Sequence, residues 1–326
     1  MGLRSNLPSV YLKDMYKVHF QTKKAAQVRW SEIYSVVTGV KGAGDKETQI
    51  LNLGDLERHL VEGQDINFAS PAEGWPFYVK YHTFSKGLKL SFEAKEDNTK
   101  LGDLMKRLAG TWTKSSIDAR ETLGAGIFNN GGTLSGHWSF DGTHQGQSDP
   151  SGYLMYDSVP FFALSGNEYT KKDGSTYYNS VANLDLDVDN FATIYNLHVA
   201  TNAYDENGRP ITDPVDTLLT RRGADFQMAK RIQTATKGLP GGQLNDPNIW
   251  ENTAKPIDWA YLTPGTSAFY VGKRGSEDMQ FHIRMMGTFD YFEDKNNRGV
   301  KASFMERFGI LLKGRPWTRG GGNSAA

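Results

Sequence analysis

Residues 97–132, DNTKLGDLMKRLAGTWTKSSIDARETLGAGIFNNGG, read as one long amphipathic helix closed by a glycine stop. Leu101, Leu104, Met105, Leu108, Trp112, Ala119, Leu123 and Ile127 recur at helical steps, and Lys106, Lys114, Asp118 and Glu121 fall largely between them. Asp97 or Asn98 supplies an N-cap, and Asn129, Asn130, Gly131 and Gly132 tolerate the positive φ of a helix end. At about 1.5 Å per residue the helix would span roughly 45 to 50 Å, enough to brace a whole domain. Gly102, Gly110 and Gly124 each cost about 1 kcal/mol against alanine, so without tertiary packing the helix would bend or break near one of them.

The text before this helix is β-prone and poor in core. Phe77, Val79 and Tyr81 alternate with Tyr78, Lys80 and His82, and Leu88, Leu90 and Phe92 alternate with Lys89, Ser91 and Glu93, as in half-buried strands. Between residues 52 and 74 many charges stand among few bulky apolar residues, too few for a core of its own, which fits a projecting hairpin. The first 45 residues are polar and basic, with Tyr11, Met15, Tyr16, Phe20 and Trp30 among them, and end in GVKGAG. They hold too little apolar area to fold alone and are expected to lie along another surface.

After the long helix, residues 129–180 are rich in glycine, serine, tyrosine and asparagine and read as a long loop region. A second helix is expected from an N-cap at Asp189, with Phe191, Ile194, Tyr195 and His198 on one face. A strand at 217–220 and a third helix over 223–236 follow. Strand signals then recur at 257–262, 268–271, 280–292, 300–304 and 310–312.

The 326 residues suffice for one large or two modest domains. The absence of cysteine excludes disulfides and thiolate metal sites, and no apolar run is long enough for a membrane span or signal peptide, which points to a chain made in the cytoplasm. Net charge is zero, but residues 1–30 hold six basic groups against Asp14, and residues 298–326 hold six against Glu306. The remainder, with 25 basic and 35 acidic groups, is therefore ten charges negative. Basic ends on an acidic body fit contact with nucleic acid or with a neighbour's acidic surface, and equally fit solvated tails.

Catalytic and metal motifs fail on their spacing. Asp185, Asp187 and Asp189 in DLDVDN match the first acidic positions of a calcium loop, but Asn190 and Asn196 stand where glycine and a bidentate glutamate are needed. Alternating Leu186 and Val188 fit a strand edge running into an N-cap better. His137 and His144, with Asp141 between them, have no helical pairing to support a metal. No GxSxG elbow and no phosphate-cradling GxxxxGK[ST] occurs, and nothing selects a carboxylate pair for glycoside hydrolysis. The seven tryptophans and fifteen tyrosines are scattered rather than gathered on a binding face. No catalytic, cofactor-binding or metal residue is therefore assigned, and the expectation is a structural building block.

The ordered pieces resemble tailed-phage major capsid proteins of the Hong Kong 97 fold, in particular the phage Mu-like major head subunit family. The likeness rests on LSFEAKEDN (90–98) leading into the long helix with its AGIFNNG end (125–131), then LTRRGADFQMAKRIQTATKG (219–238). NDPNIWENTAKPIDWAYLTPGTSAFYVG (245–272) and ERFGILLKGRPW (306–317) continue it, so it covers about residues 30–317. The resemblance implies an α+β chain with an N-terminal arm (1–45), an extended E-loop (46–90) and a P-domain with its spine helix and long loop (91–180). An A-domain (181–270) and returning strands with a C-terminal tail (271–326) complete it. It departs from the Mu-like pattern at DSVPFFALSGN (157–167), where a histidine-containing segment is usual. The lysine–asparagine cross-link of some relatives is not carried over, because no motif selects among Lys80, Lys86 and Lys89.

The function the resemblance implies is a head protein that assembles with copies of itself into hexamers and pentamers of an icosahedral shell around double-stranded DNA. Portal, scaffolding and decoration proteins would be further partners, with no membrane and no cofactor, and the virion would be its location. A nanocompartment shell of the encapsulin kind would use the same fold around protein cargo instead of a genome. A β-rich hydrolase or carbohydrate-binding protein is the alternative of another class, and would elute as a small oligomer.

Overall fold

A computed structural model of the chain describes residues 7–42, 44–50, 73–93, 101–132, 155, 157, 159–170, 174–203, 215–237, 247–263, 267–293 and 298–321. The N-terminal segment forms a helix, α1 (Leu7–Ala25), that the sequence reading missed. Met15 and His19 are buried, with Tyr11, Val18 and Thr22 half-buried on the same face, a helical spacing carried by residues of mixed polarity. A single turn, α2 (Trp30–Ile33), leads into β1 (Tyr34–Thr38). Strands β2 (Gly44–Ile50) and β3 (Glu73–Lys80) pair as an antiparallel hairpin, and β4 (His82–Leu90) follows. Residues 51–72, expected at the hairpin's tip, lie outside the described residues.

Helix α3 (Leu101–Asn130) is continuous through Gly102, Gly110 and Gly124. The expected break is absent because two of these glycines are contact points. A Cβ at Gly102 would lie 3.3 Å from the Tyr11 ring, and one at Gly124 would meet Trp259 at 3.2 Å and both Trp30 and Tyr34 at 3.3 Å. The missing side chains let neighbouring elements approach the helix axis, and this packing offsets the poor helix propensity. With Tyr11 beside Gly102 and Val18 beside Gly110, α1 and α3 run side by side in the same direction.

Three two-residue strands follow, β5 (Tyr169–Thr170), β6 (Thr176–Tyr177) and β7 (Ser180–Val181). Helix α4 (Val188–Asn196) continues as a π-helical turn over Leu197–Thr201. Its N-cap is Asp187 rather than Asp189, because the Asp187 carboxylate accepts the Asn190 backbone N–H at 2.7 Å. Then come β8 (Thr217–Arg221), α5 (Ala224–Thr234), β9 (Lys255–Trp259), β10 (Phe269–Gly272), β11 (Ser276–Glu293), β12 (Val300–Leu312) and β13 (Trp317–Gly320).

The strands form two main sheets. The first has the order β1-β11-β12-β4 with β1 parallel to β11, and the second has the order β7-β13-β10-β8-β9. One layer of core joins α1, the first half of α3 and the first sheet through Met15, Met105, Trp112, Phe289 and Phe304. The second half of α3 carries Leu123, Ile127 and Phe128 into a core shared by both sheets, with Trp259, Tyr270, Phe281 and Trp317. Phe161 and Phe162 belong to that core, so this part of the expected loop is packed rather than loose. A third cluster, including Phe191, Ile194, Leu218, Ile232 and Val271, holds α4 and α5 on the second sheet.

Candidate assembly surface

Buried ionic anchors fix the elements from which any assembly surface would project. Arg29, between α1 and α2, donates from Nη2 to Asp258 Oδ1 at 2.7 Å and from Nη1 to Glu32 at 3.1 Å. Its backbone N–H donates to Glu121 Oε1 at 2.6 Å, and the Trp259 indole N–H donates to Glu121 Oε2 at 2.5 Å. The N-terminal corner, α3 and β9 thus share one polar knot. Burial pushes the Glu121 carboxyl up, outweighing the N–H groups of Arg29 and Trp259 that favour its charge. Burial acts on Asp258 in the same sense, but Arg222 and Arg29 overcome it and hold that carboxyl below its usual value.

A second anchor lies beneath α3. Arg120 donates to Glu306 Oε2 at 2.6 Å and Ser116 donates to the same oxygen at 2.9 Å, with only 5% and 1% of the two charged side chains exposed. The guanidinium also lies 5.6 Å from the Trp30 ring centre and 5.4 Å from that of Phe308. Burying two charges carries a large desolvation cost that their attraction and the Ser116 hydrogen bond offset, and removing either partner alone would strand the other charge in the core. A third anchor is bidentate: Arg315 Nη1 and Nη2 each donate to the Asp157 carboxylate at 2.9 Å, and Nη2 also reaches the Val159 carbonyl at 3.1 Å. It fixes the segment that carries Phe161 and Phe162 into the core.

Three regions stand at the surface. Among the described residues, the β2–β3 hairpin meets the body near its base, where Phe77, Val79 and Tyr81 pack on Leu311 and Lys313 forms an ion pair with Glu47. The Tyr81 hydroxyl lies 3.1 Å from Nδ1 of the buried His282. Strand β4 is an edge of the first sheet, with Lys86 and Lys89 exposed on it. Along α1 and α3, Lys13, Lys17, Lys24, Lys106, Arg107 and Lys114 are exposed, with Phe20 66% exposed among them. The lysines are visible in the sequence as a basic start, but their common face becomes visible only once both helices are placed.

The weighed metal motifs do not assemble into a site. Asn190 Nδ2 donates to the Asp185 carbonyl at 2.8 Å and to Asp187 Oδ2 at 3.0 Å, so DLDVDN serves as a helix cap. His137, Asp141 and His144 lie outside the described residues. Among the described residues no group of three or more His, Asp or Glu side chains is placed to hold a metal ion, and no helix is long and apolar enough to cross a membrane.

No family model matches the chain, and no curated protein matches it in sequence. Solved structures do match its backbone. The capsid of the native GTA particle is similar with a TM-score of 0.50 at 11% identity, with 92% of each chain covered. A chain from Mycobacterium phage Patience is similar with a TM-score of 0.50 at 10% identity, covering 98% of this chain and 89% of that one. At such identities the likeness speaks for the fold and not for the phage Mu-like subfamily. The long helix, the hairpin and the two sheets therefore compose a capsid-protein fold.

Proposed function

We propose that this chain is a major capsid protein that assembles with its own copies into hexamers and pentamers of an icosahedral shell enclosing double-stranded DNA. The observation that carries this reading is the likeness to the GTA particle capsid, which extends over 92% of both chains rather than over one motif. The residue-level organisation supports it. Among the described residues the hairpin meets the body near its base, through Phe77, Val79, Tyr81 and the Lys313–Glu47 ion pair, and a hairpin that projects from there would gain its further burial from a neighbour. A shell multiplies such weak contacts into a stable container.

In this reading α1 belongs to the N-terminal arm and residues 46–90 to the E-loop, while α3 is the spine of a P-domain built on the first sheet. The second sheet with α4 and α5 forms the A-domain that faces the symmetry axes. The order of the motifs around α3 and in 219–272 supports placing the chain among Hong Kong 97-type head proteins of the phage Mu-like group. The virion is then its location, after synthesis in the host cytoplasm, and portal, scaffolding and decoration proteins are its further partners.

Sedimentation of the purified chain tests the proposal. Particles or capsomers many times the 36.3 kDa subunit mass are expected. A chain that remains monomeric under all assembly conditions and turns over a glycan would contradict it, and particles filled with a protein cargo instead of DNA would replace it with a nanocompartment.

A further inference from the structure

The two basic ends of the sequence have different places in the fold. At the C-terminal end, Arg315 is held by Asp157, Arg319 is buried, and Lys313 pairs with Glu47. Arg307 donates to the Tyr81 carbonyl at 3.4 Å, Lys301 lies 5.9 Å from the Phe292 ring centre, and Arg298 is the one exposed cation of the six. Five of the six are thus engaged within the subunit, and this end presents no exposed row. At the N-terminal end, Lys13, Lys17 and Lys24 are exposed at separations of four and seven residues, which places them in one row along α1. At about 1.5 Å per residue the row is roughly 16 Å long.

Lys106, Arg107 and Lys114 are exposed on α3, which runs parallel to α1, and the axes of two helices packed in this way lie about 8 to 10 Å apart. Gln21, Thr22 and Ala25 from α1 and Lys114, Ile117 and Asp118 from α3 line one open cleft of ≈ 630 Å³, so at this end both helices face the same side. The acids on the exposed surface of the pair are Asp14, Asp103 and Asp118. Asp14 is 3.2 Å from Lys106, and Asp118 accepts from the Tyr261 hydroxyl at 2.6 Å. A neutral chain thus presents a locally positive two-helix surface.

We infer that this surface of α1 and α3 binds the phosphate backbone of packaged duplex DNA without reading its sequence. Five of the six cations are lysines, which are flexible point charges. Protein–protein interfaces are depleted in lysine and favour arginine, so the composition speaks for a polyanion and against a neighbouring subunit. Duplex DNA carries one charge per about 1.7 Å of axis, so a row of this length meets phosphates in any register. The inference rests on the shell reading above, and it selects the N-terminal basic end over the C-terminal one.

The test is binding of a random-sequence duplex of about 30 base pairs to the full chain, followed by fluorescence anisotropy across a salt series. The variants are a triple Lys13→Gln, Lys17→Gln, Lys24→Gln and a control triple Lys41→Gln, Lys237→Gln, Lys255→Gln, each checked for folding by circular dichroism. Loss of three phosphate contacts should reduce the slope of log K against log salt by about 2.7, while the control keeps the original slope. A row variant that keeps the original slope overturns the inference, as does an equal loss in both variants. Shell formation is read on the same preparations by light scattering. Shells with an unaltered row-variant slope sink the inference and leave the shell reading; a row-dependent slope without shells does the reverse. A row variant that stops assembly but keeps the slope makes the row a subunit contact and also overturns the inference.

Discussion

His19 occupies a place where an added proton is costly. Its ring is 3% exposed and Nδ1 lies 2.7 Å from the Thr113 hydroxyl, which itself donates to the Ala109 carbonyl at 2.6 Å. Nδ1 is therefore the donor, and a second proton would have to go to Nε2. Phe289 and Phe304 pack against the ring, and burial, followed by the charges of Lys23 and Arg120, lowers its pKa from 6.5 to about 4; Glu306 is already engaged by Arg120. The unfolded chain then binds the extra proton first. The His19 contribution to stability is complete above about pH 6.5 and is lost as pH falls toward about 4. Thermal unfolding across that window should show the decline, and His19→Gln should flatten it; an equal decline in the variant would contradict the assignment. Lys23, lowered to about 8 by burial and Arg120, works in the same sense at a higher window, adding stability as pH rises from about 8 to 10.5. Trp112 tests the α3 core more bluntly. It is 3% exposed and stacks near Phe289, so Trp112→Ala should cost about 3 to 5 kcal/mol in a denaturant titration, and a loss near zero would move the buried face of the helix.

Two glycines of α3 give opposite expectations as elements pack around them. At Gly110 an added Cβ meets only Val18, at 3.7 Å, so Gly110→Ala should gain up to about 1 kcal/mol of stability. At Gly124 it meets three aromatic residues within 3.3 Å, so Gly124→Ala should cost about 1 to 3 kcal/mol despite the better propensity. Matching gains in melting temperature for both variants would refute the close approach at Gly124. For the hairpin, removing residues 51–72 should leave a cooperative thermal transition and abolish assembly; loss of the transition would mean that the segment belongs to the core. The elements legible in the sequence were those whose own periodicity decides their form, among them α3, α4, α5 and strands β3, β4, β8, β10 and β11. Strand β12 read as two pieces because Glu306 and Arg307 interrupt its apolar run, yet Glu306 is buried by partners on α3 that no local pattern reveals. Helix α1 was missed because its inward face is built from Tyr11, Met15, Val18 and His19, and its packing depends on glycines 90 residues away in the chain. Phe161 and Phe162 sit in a glycine-rich context that reads as loop, and only Arg315, far downstream, explains why that segment stays in the core.

At the scale of the whole molecule, α3 carries one layer of core at its start and the junction of both sheets at its end, so it links α1 and the two main sheets. The projecting hairpin and the basic N-terminal end were legible in the sequence, whereas the exposed cations of α3 beside those of α1 were not, because only the packing of the two helices brings them together. The ordered motifs pointed to the architecture, and the backbone likeness at 11% identity supports the fold without supporting the subfamily. Electron microscopy of the expressed chain tests whether this fold closes into a shell. Closed icosahedral particles with fivefold and sixfold rings are expected, with the second sheet around the axes and the β2–β3 hairpin lying over a neighbouring subunit. Monodisperse single subunits or small oligomers with the hairpin left in solvent would contradict it.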